Sequence, residues 1–204
     1  MVKLKLALTN YGGKMKKIVA LGDSLTYGYM ISPGSKWVDI INRSQNEFNI
    51  LNRGINGDTV RNMSRRLASD VVAYKPDSAL IWGGANDFYF NEYPIEETFG
   101  YFEEIDAELK NADIEPYYVI GSYACVNAAF TDIERSVLIA MNDKFDRLRE
   151  FFNNRDFCCL DMWNLFKSQD GIDEIEFFND GIHFNDQGSK LVAEKIRSFL
   201  QTIL

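Results

Sequence analysis

Residues 17–28 read KIVALGDSLTYG. Ile18 to Leu21 is an unbroken apolar run that stops at a glycine, the pattern of a strand buried on both faces. Gly22 and Asp23 then make a turn, and Leu25 onwards can start a helix. Ser24 falls between them, three residues past the strand. A serine there either caps the next helix or presents a hydroxyl for chemistry. The rest of the chain has to decide which.

Four more strands follow from the same pattern: Phe48–Asn52, Ser78–Trp82, Tyr117–Gly121 and a shorter Phe157–Leu160. Helical spacing lies between them. Met63, Leu67 and Val71 recur every four residues within 62–72, and Phe99, Phe102, Ile105 and Leu109 form a stripe within 95–109. Ile133, Val137, Met141, Phe145 and Leu148 mark a helix over 132–152, and Leu191, Ile196 and Leu200 one over 186–204. Asp132 and Asp186 are the expected caps of these last two. Alternating strands and helices with continuously apolar strands predict an α/β fold, a five-stranded, mostly parallel sheet covered on both faces. Ligands bind such sheets outside the carboxyl ends of the strands.

The 204 residues suit one domain, taken as 15–204. Residues 1–14 are read as an extension, either non-native or disordered, and are set aside. A net charge of -8 with no basic patch argues against a nucleic-acid partner. No apolar run approaches membrane-span length, so integral membrane association is not expected. The N-terminus lacks the small-residue cleavage site of a signal peptide. With three cysteines, an odd count that does not suggest a disulfide framework, a cytoplasmic chain is expected. Cys125, Cys158 and Cys159 are read as small buried residues. With one histidine and no cysteine cluster, no metal and no cofactor are expected. A homo-oligomer is left open.

His183 is the sole histidine, in FFNDGIHFNDQGSKLV just before the last helix. Imidazole is the usual group for taking a hydroxyl proton near neutral pH. Asp180, three residues earlier, can reach one ring nitrogen while the other faces a serine. Gly57 follows the second strand, where a glycine lets a backbone N–H approach a ligand. Asn86 follows the third, and its amide can donate to developing negative charge. Each has a plain alternative: a turn glycine, or a helix cap at Asn86 or Asp87. Three of these motifs leave the same sheet edge and the fourth precedes the final helix, so together they converge.

GDSL at 22–25, NGD at 56–58, GAND at 84–87 and DGIH at 180–183 resemble, in order, the four signature blocks of the SGNH, or GDSL-type, hydrolases. The resemblance runs from about Ile18 to Leu191. It implies a flavodoxin-like three-layer α/β/α sandwich and carboxylic ester hydrolysis through a covalent acyl-serine. Residue by residue it implies Ser24 as nucleophile, His183 as base and Asp180 as its orienting acid. The oxyanion hole it implies is the Ser24 and Gly57 N–H groups with the Asn86 amide. Asn56 stands where the family commonly has serine, which leaves a backbone donor unaffected. Thr26 and the absence of G-x-S-x-G separate the chain from ordinary α/β-hydrolases.

The expected partner is a small-molecule ester, of a short or medium acyl group or an O-acetyl sugar. Alternatives are an acyltransferase using the same triad, a lysophospholipase or thioesterase, and a non-catalytic carbohydrate-binding module. Asp23, Phe88, Tyr89, Tyr123 and Phe178 are the candidate substrate contacts, the aromatic ones for their broad apolar faces.

Overall fold

The computed structural model describes residues 15–167 and 173–204. The proposed extension, 1–14, lies outside the described residues. Five strands, β1 (Lys16–Gly22), β2 (Phe48–Gly54), β3 (Ser78–Trp82), β4 (Glu115–Ile120) and β5 (Cys159–Asp161), form one sheet in the order β2-β1-β3-β4-β5. Every pairing is parallel. This is the flavodoxin-like order, and its topological switch point lies between β1 and β3.

Register fixes what meets at that point. Gly22 pairs with Gly54 on one side and with Trp82 on the other. The chain therefore leaves β1, β2 and β3 at one level, and residues 23–24, 55–59 and 83–86 emerge side by side.

The helices are α1 (Ser24–Tyr27), α2 (Trp37–Ser44), α3 (Val60–Asp70), α4 (Ala85–Phe90), α5 (Ile95–Asn111), α6 (Asp132–Asn154) and α7 (Asp186–Ile203). α2 packs on α7, α3 on α5, and α4 on α6. Residues 18–22 of β1 and all of β3 are buried, so both faces of the sheet are covered. No helix among the described residues is long and apolar enough to cross a membrane.

Several local expectations are corrected. Thr131 and Asn185, not Asp132 and Asp186, cap α6 and α7. A capping residue has to be extended and precede the first helical residue. Both are extended, and their side chains accept from Glu134 N, and from Gln187 N and Gly188 N. Asp186 instead accepts from Ser32 N at 2.9 Å. Only Cys125 is buried; Cys158 is exposed and Cys159 half-buried, because β5 is an edge strand. Ile133 is 81% exposed and Val137 half-buried, the buried positions of α6 beginning only at Leu138. On α7, Val192 and Ala193 enter the core and Leu191 lies at its margin.

Candidate active site

β1 delivers Ser24. Its buried run ends at Gly22, and Asp23 turns the chain into the single turn of α1 by accepting the Leu25 N–H at 2.9 Å. Ser24 is the first residue of that turn, so its own N–H has no carbonyl a turn earlier to bond. Its hydroxyl is 2.9 Å from His183 Nε2, across 159 residues of chain.

The loop before α7 delivers the imidazole. Asp180 Oδ1 accepts the Ile182 and His183 N–H groups at 3.1 and 2.7 Å, folding the D-x-x-H segment onto its own carboxylate. Oδ2 is then 2.7 Å from His183 Nδ1. Gly181 in this turn has φ +83°, and a Cβ there would sit 2.8 Å from the Cys125 carbonyl oxygen. Asn179 closes the loop, donating its N–H to the His183 carbonyl and its side-chain amide to that of Phe184. Burial acts to raise the Asp180 pKa, but the bonds from the His183 ring and from two backbone amides outweigh it and hold it below its ordinary value. A carboxylate only accepts, so Nδ1 carries the ring proton and donates it to Asp180. That leaves Nε2 free to accept from Ser24.

β2 and β3 deliver the donors. Gly57 sits in the turn after β2 at φ +75°, with nothing within 4 Å of where a Cβ would be. Conformation, not crowding, asks for glycine there, and the position faces open space. Asn86 lies in the first turn of α4 and donates one amide N–H to the Asp58 carbonyl at 2.8 Å. An amide has two N–H groups, so this bond fixes its plane and leaves the second to donate. Neither Asn86 nor Asp87 caps α4, whose cap is Gly84. Asp87 reaches across to α3, accepting the Val60 N–H and the Tyr93 hydroxyl.

The five candidate substrate contacts are placed differently from one another. Tyr89 is 40% exposed and lines a groove of about 500 Å³ between α4 and α6. Phe88 is buried against Phe145, Tyr123 against Trp163, and Phe178 among Phe166 and Phe184. These three rings belong to the packed interior. The Asp23 side chain is wholly buried as well. Sequence reading passed over Tyr29, whose half-exposed ring stands edge-on to His183 with centroids 4.9 Å apart. Its position just after GDSLTYG was the one available signal.

Asp23 carries a pH signature. Burial pushes its pKa up to about 7; the Leu25 N–H opposes this, and the Asp87 charge adds to it. Between about pH 4 and 7 the folded chain therefore keeps a proton that the unfolded chain has lost. The sign follows: Asp23 costs stability progressively as pH rises through that window, and the cost is constant above it. Asp23→Asn keeps the acceptor for Leu25 and removes the charge. Urea melts at pH 5 and pH 8 are expected to show the variant gaining on the parent by a few kcal/mol (order of magnitude) at the higher pH. Equal differences at both pH values would place the titration elsewhere.

Among the described residues, no group of three or more His, Cys, Asp or Glu side chains could hold a metal ion. The arrangement offers a hydroxyl, an imidazole oriented by a carboxylate, and N–H groups of Ser24, Gly57 and Asn86 leaving one sheet edge.

A sequence model of the GDSL-like Lipase/Acylhydrolase family matches residues 20–191, most of the chain. The chain is 32% identical over 88 residues to an acetylxylan esterase of Geobacillus stearothermophilus, covering 36% of this chain and 40% of that protein. It is 30% identical over 100 residues to thioesterase 1/protease 1/lysophospholipase L1 of Escherichia coli, covering 48% of each. Each of these matches spans less than half of the curated relative's length. The lipase/acylhydrolase structure from Enterococcus faecalis superimposes with a TM-score of 0.74 at 25% identity, covering 93% of this chain and 97% of that one. A member of the lipolytic protein G-D-S-L family from Veillonella parvula shares the fold, with a TM-score of 0.70 at 20% identity over 89% and 96% of the two chains. With its four blocks gathered at one edge of a 2-1-3-4-5 sheet, the chain belongs to the GDSL-like lipase/acylhydrolase family.

Proposed function

We propose that this chain hydrolyses carboxylic esters through an acyl-Ser24 intermediate. The observation that carries the reading is the unbroken relay from Ser24 Oγ to His183 Nε2 at 2.9 Å and from Nδ1 to Asp180 at 2.7 Å. Ser24 Oγ attacks the ester carbonyl carbon while its proton passes to Nε2. The carbonyl oxygen becomes an oxyanion and takes hydrogen bonds from the Ser24 and Gly57 N–H groups and the Asn86 amide. Collapse of this intermediate breaks the bond to the alcohol oxygen, which leaves with the proton from Nε2. Water then attacks the acyl-enzyme with the same base. Proton count is restored and an acid and an alcohol are released.

The substrate proposed is a short acyl ester, with acetyl esters of sugars first among them. The acetylxylan esterase relative supports this, as does the half-exposed Tyr29 ring, which stands against the His183 imidazole and offers an aromatic surface next to the site. The test is a panel of nitrophenyl esters graded in acyl length, with acetylated xylan, a long-chain acyl thioester and an alcohol acceptor as separate arms. Turnover that falls with acyl length and extends to acetylated xylan supports the reading. Preference for the thioester moves it toward the Escherichia coli relative's activities, and product formed only with the acceptor moves it to acyl transfer.

Asn86→Ala removes one donor to the oxyanion. Its kcat is expected to fall about 100- to 1000-fold with KM little changed, because the charge it meets exists only after attack. A rise in KM at unchanged kcat would show that Asn86 holds the ground state instead.

A further inference from the structure

Arg66 lies on α3, away from Ser24, His183 and Asp180 in sequence, and nothing above gives it a role. Its side chain is only 14% exposed, and its guanidinium donates to four separate segments. Nη2 reaches the Gly22 carbonyl at 3.0 Å, at the end of β1 two residues before Ser24. Nη1 reaches the Arg53 carbonyl at 2.9 Å, near the end of β2, and the Asp70 carboxylate at 2.7 Å. Nε reaches Asp58 Oδ2 at 2.7 Å, in the turn that carries Gly57. The same Asp58 presents its carbonyl to the Asn86 amide. One rigid fork thus ties the strand that presents the nucleophile to the turn of the second donor and, through Asp58, to the third.

The geometry points to Arg66, acting with Asp58, as the positioning residue of the oxyanion hole: its fork sets the Ser24, Gly57 and Asn86 donors in register with one another. This rests on the hydrolase reading above. Arg66 touches no reacting atom, since two hydrogen bonds and Asp58 separate it from Asn86. A planar guanidinium suits the task because its five donors leave in fixed directions, which a lysine ammonium cannot reproduce. Asp58 is itself buried, at 6% exposure. Burial pushes its pKa up and the Arg66 contact pulls it back, so carboxylate and guanidinium depend on each other. A displacement of about an ångström in such donors is worth about a hundredfold in rate.

The test uses the full chain with p-nitrophenyl acetate, counting active sites by fluorophosphonate labelling. Arg66→Lys and Asp58→Asn are made separately, so that one informs if the other does not fold. Both are expected to lose about 10- to 100-fold in kcat per labelled site, with KM within about twofold of the parent and slower labelling in proportion. In an Asn86→Ala background, Arg66→Lys is expected to cost less than in the parent, since one of the three donors it places is gone while the Ser24 and Gly57 N–H groups remain. Wild-type kcat per labelled site in the folded variants overturns the proposal; so do losses that add fully to that of Asn86→Ala. A parent chain that turns over no ester and is not labelled sinks the hydrolase reading and Arg66's role together.

Discussion

Ser24→Ala is expected to lower ester turnover about a million-fold and to abolish covalent labelling by a fluorophosphonate. The size of the loss follows from the site's construction. His183 and Asp180 can only act on a proton that Ser24 supplies, so removing the hydroxyl idles the whole relay. What remains is the activity of the donors and of binding on an attacking water, about a thousandfold or more over the uncatalysed reaction. The fold should be indifferent to the change. Ser24 is the first residue of α1, and the cap of that turn is Asp23, which stays. Intact-mass spectrometry after fluorophosphonate treatment reads the outcome. A variant that still gains the adduct and keeps its turnover would mean that the nucleophile is another residue.

Asp180→Asn should cost about ten-thousandfold in kcat, though it changes one oxygen to nitrogen. The carboxylate accepts the Nδ1 proton and so leaves Nε2 bare. An asparagine whose amide faces Nδ1 donates to it, which moves the ring proton to Nε2. There it confronts the Ser24 hydroxyl, donor against donor. The two backbone bonds to Oδ1 persist with an amide oxygen, so the loop should hold its shape. Measured at high pH, where hydroxide can take over part of the base's work, the deficit should narrow. A loss of only a few-fold at neutral pH would show that the imidazole keeps its tautomer without the acid.

β3 was readable to the residue, 78–82, because five consecutive buried positions lie between Asp77 and the Gly83-Gly84 pair. α2 was passed over: it has eight residues, buries only Trp37, Val38 and Ile41, and its N-cap is Lys36, whose side chain makes no capping bond. The one-residue cap errors at Thr131 and Asn185 arose because an aspartate follows each true cap, and composition does not distinguish the neighbours. At the site, Asp180 and His183 were legible because their contact is local, closed within one turn. Ser24, Gly57 and Asn86 were legible through the sheet, since residues just past parallel strands share an edge. Arg66 was not. Its partners lie from 4 to 44 residues away in four segments, and an arginine in SRRLAS looks like surface. Of the four aromatic candidates Tyr89 is exposed, and the burial of the other three was not legible for a related reason. Loop position suggests exposure, whereas Phe88, Tyr123 and Phe178 complete the core.

The docking of α7 against α2 has a kinetic side. Ser189 donates to the Ser35 carbonyl, the Ser32 N–H to Asp186, and Gln201 to Glu47, so the last helix is fastened to early segments at several points. The histidine just ahead of it meets a serine 159 residues earlier. Closing so long a loop is entropically costly and is repaid only once the intervening strands are paired. During refolding, helix content and even a compact sheet can form while the two ends are still apart. Recovered reactivity at Ser24 then marks the joining of the chain's beginning to its end, the step that makes the fold whole.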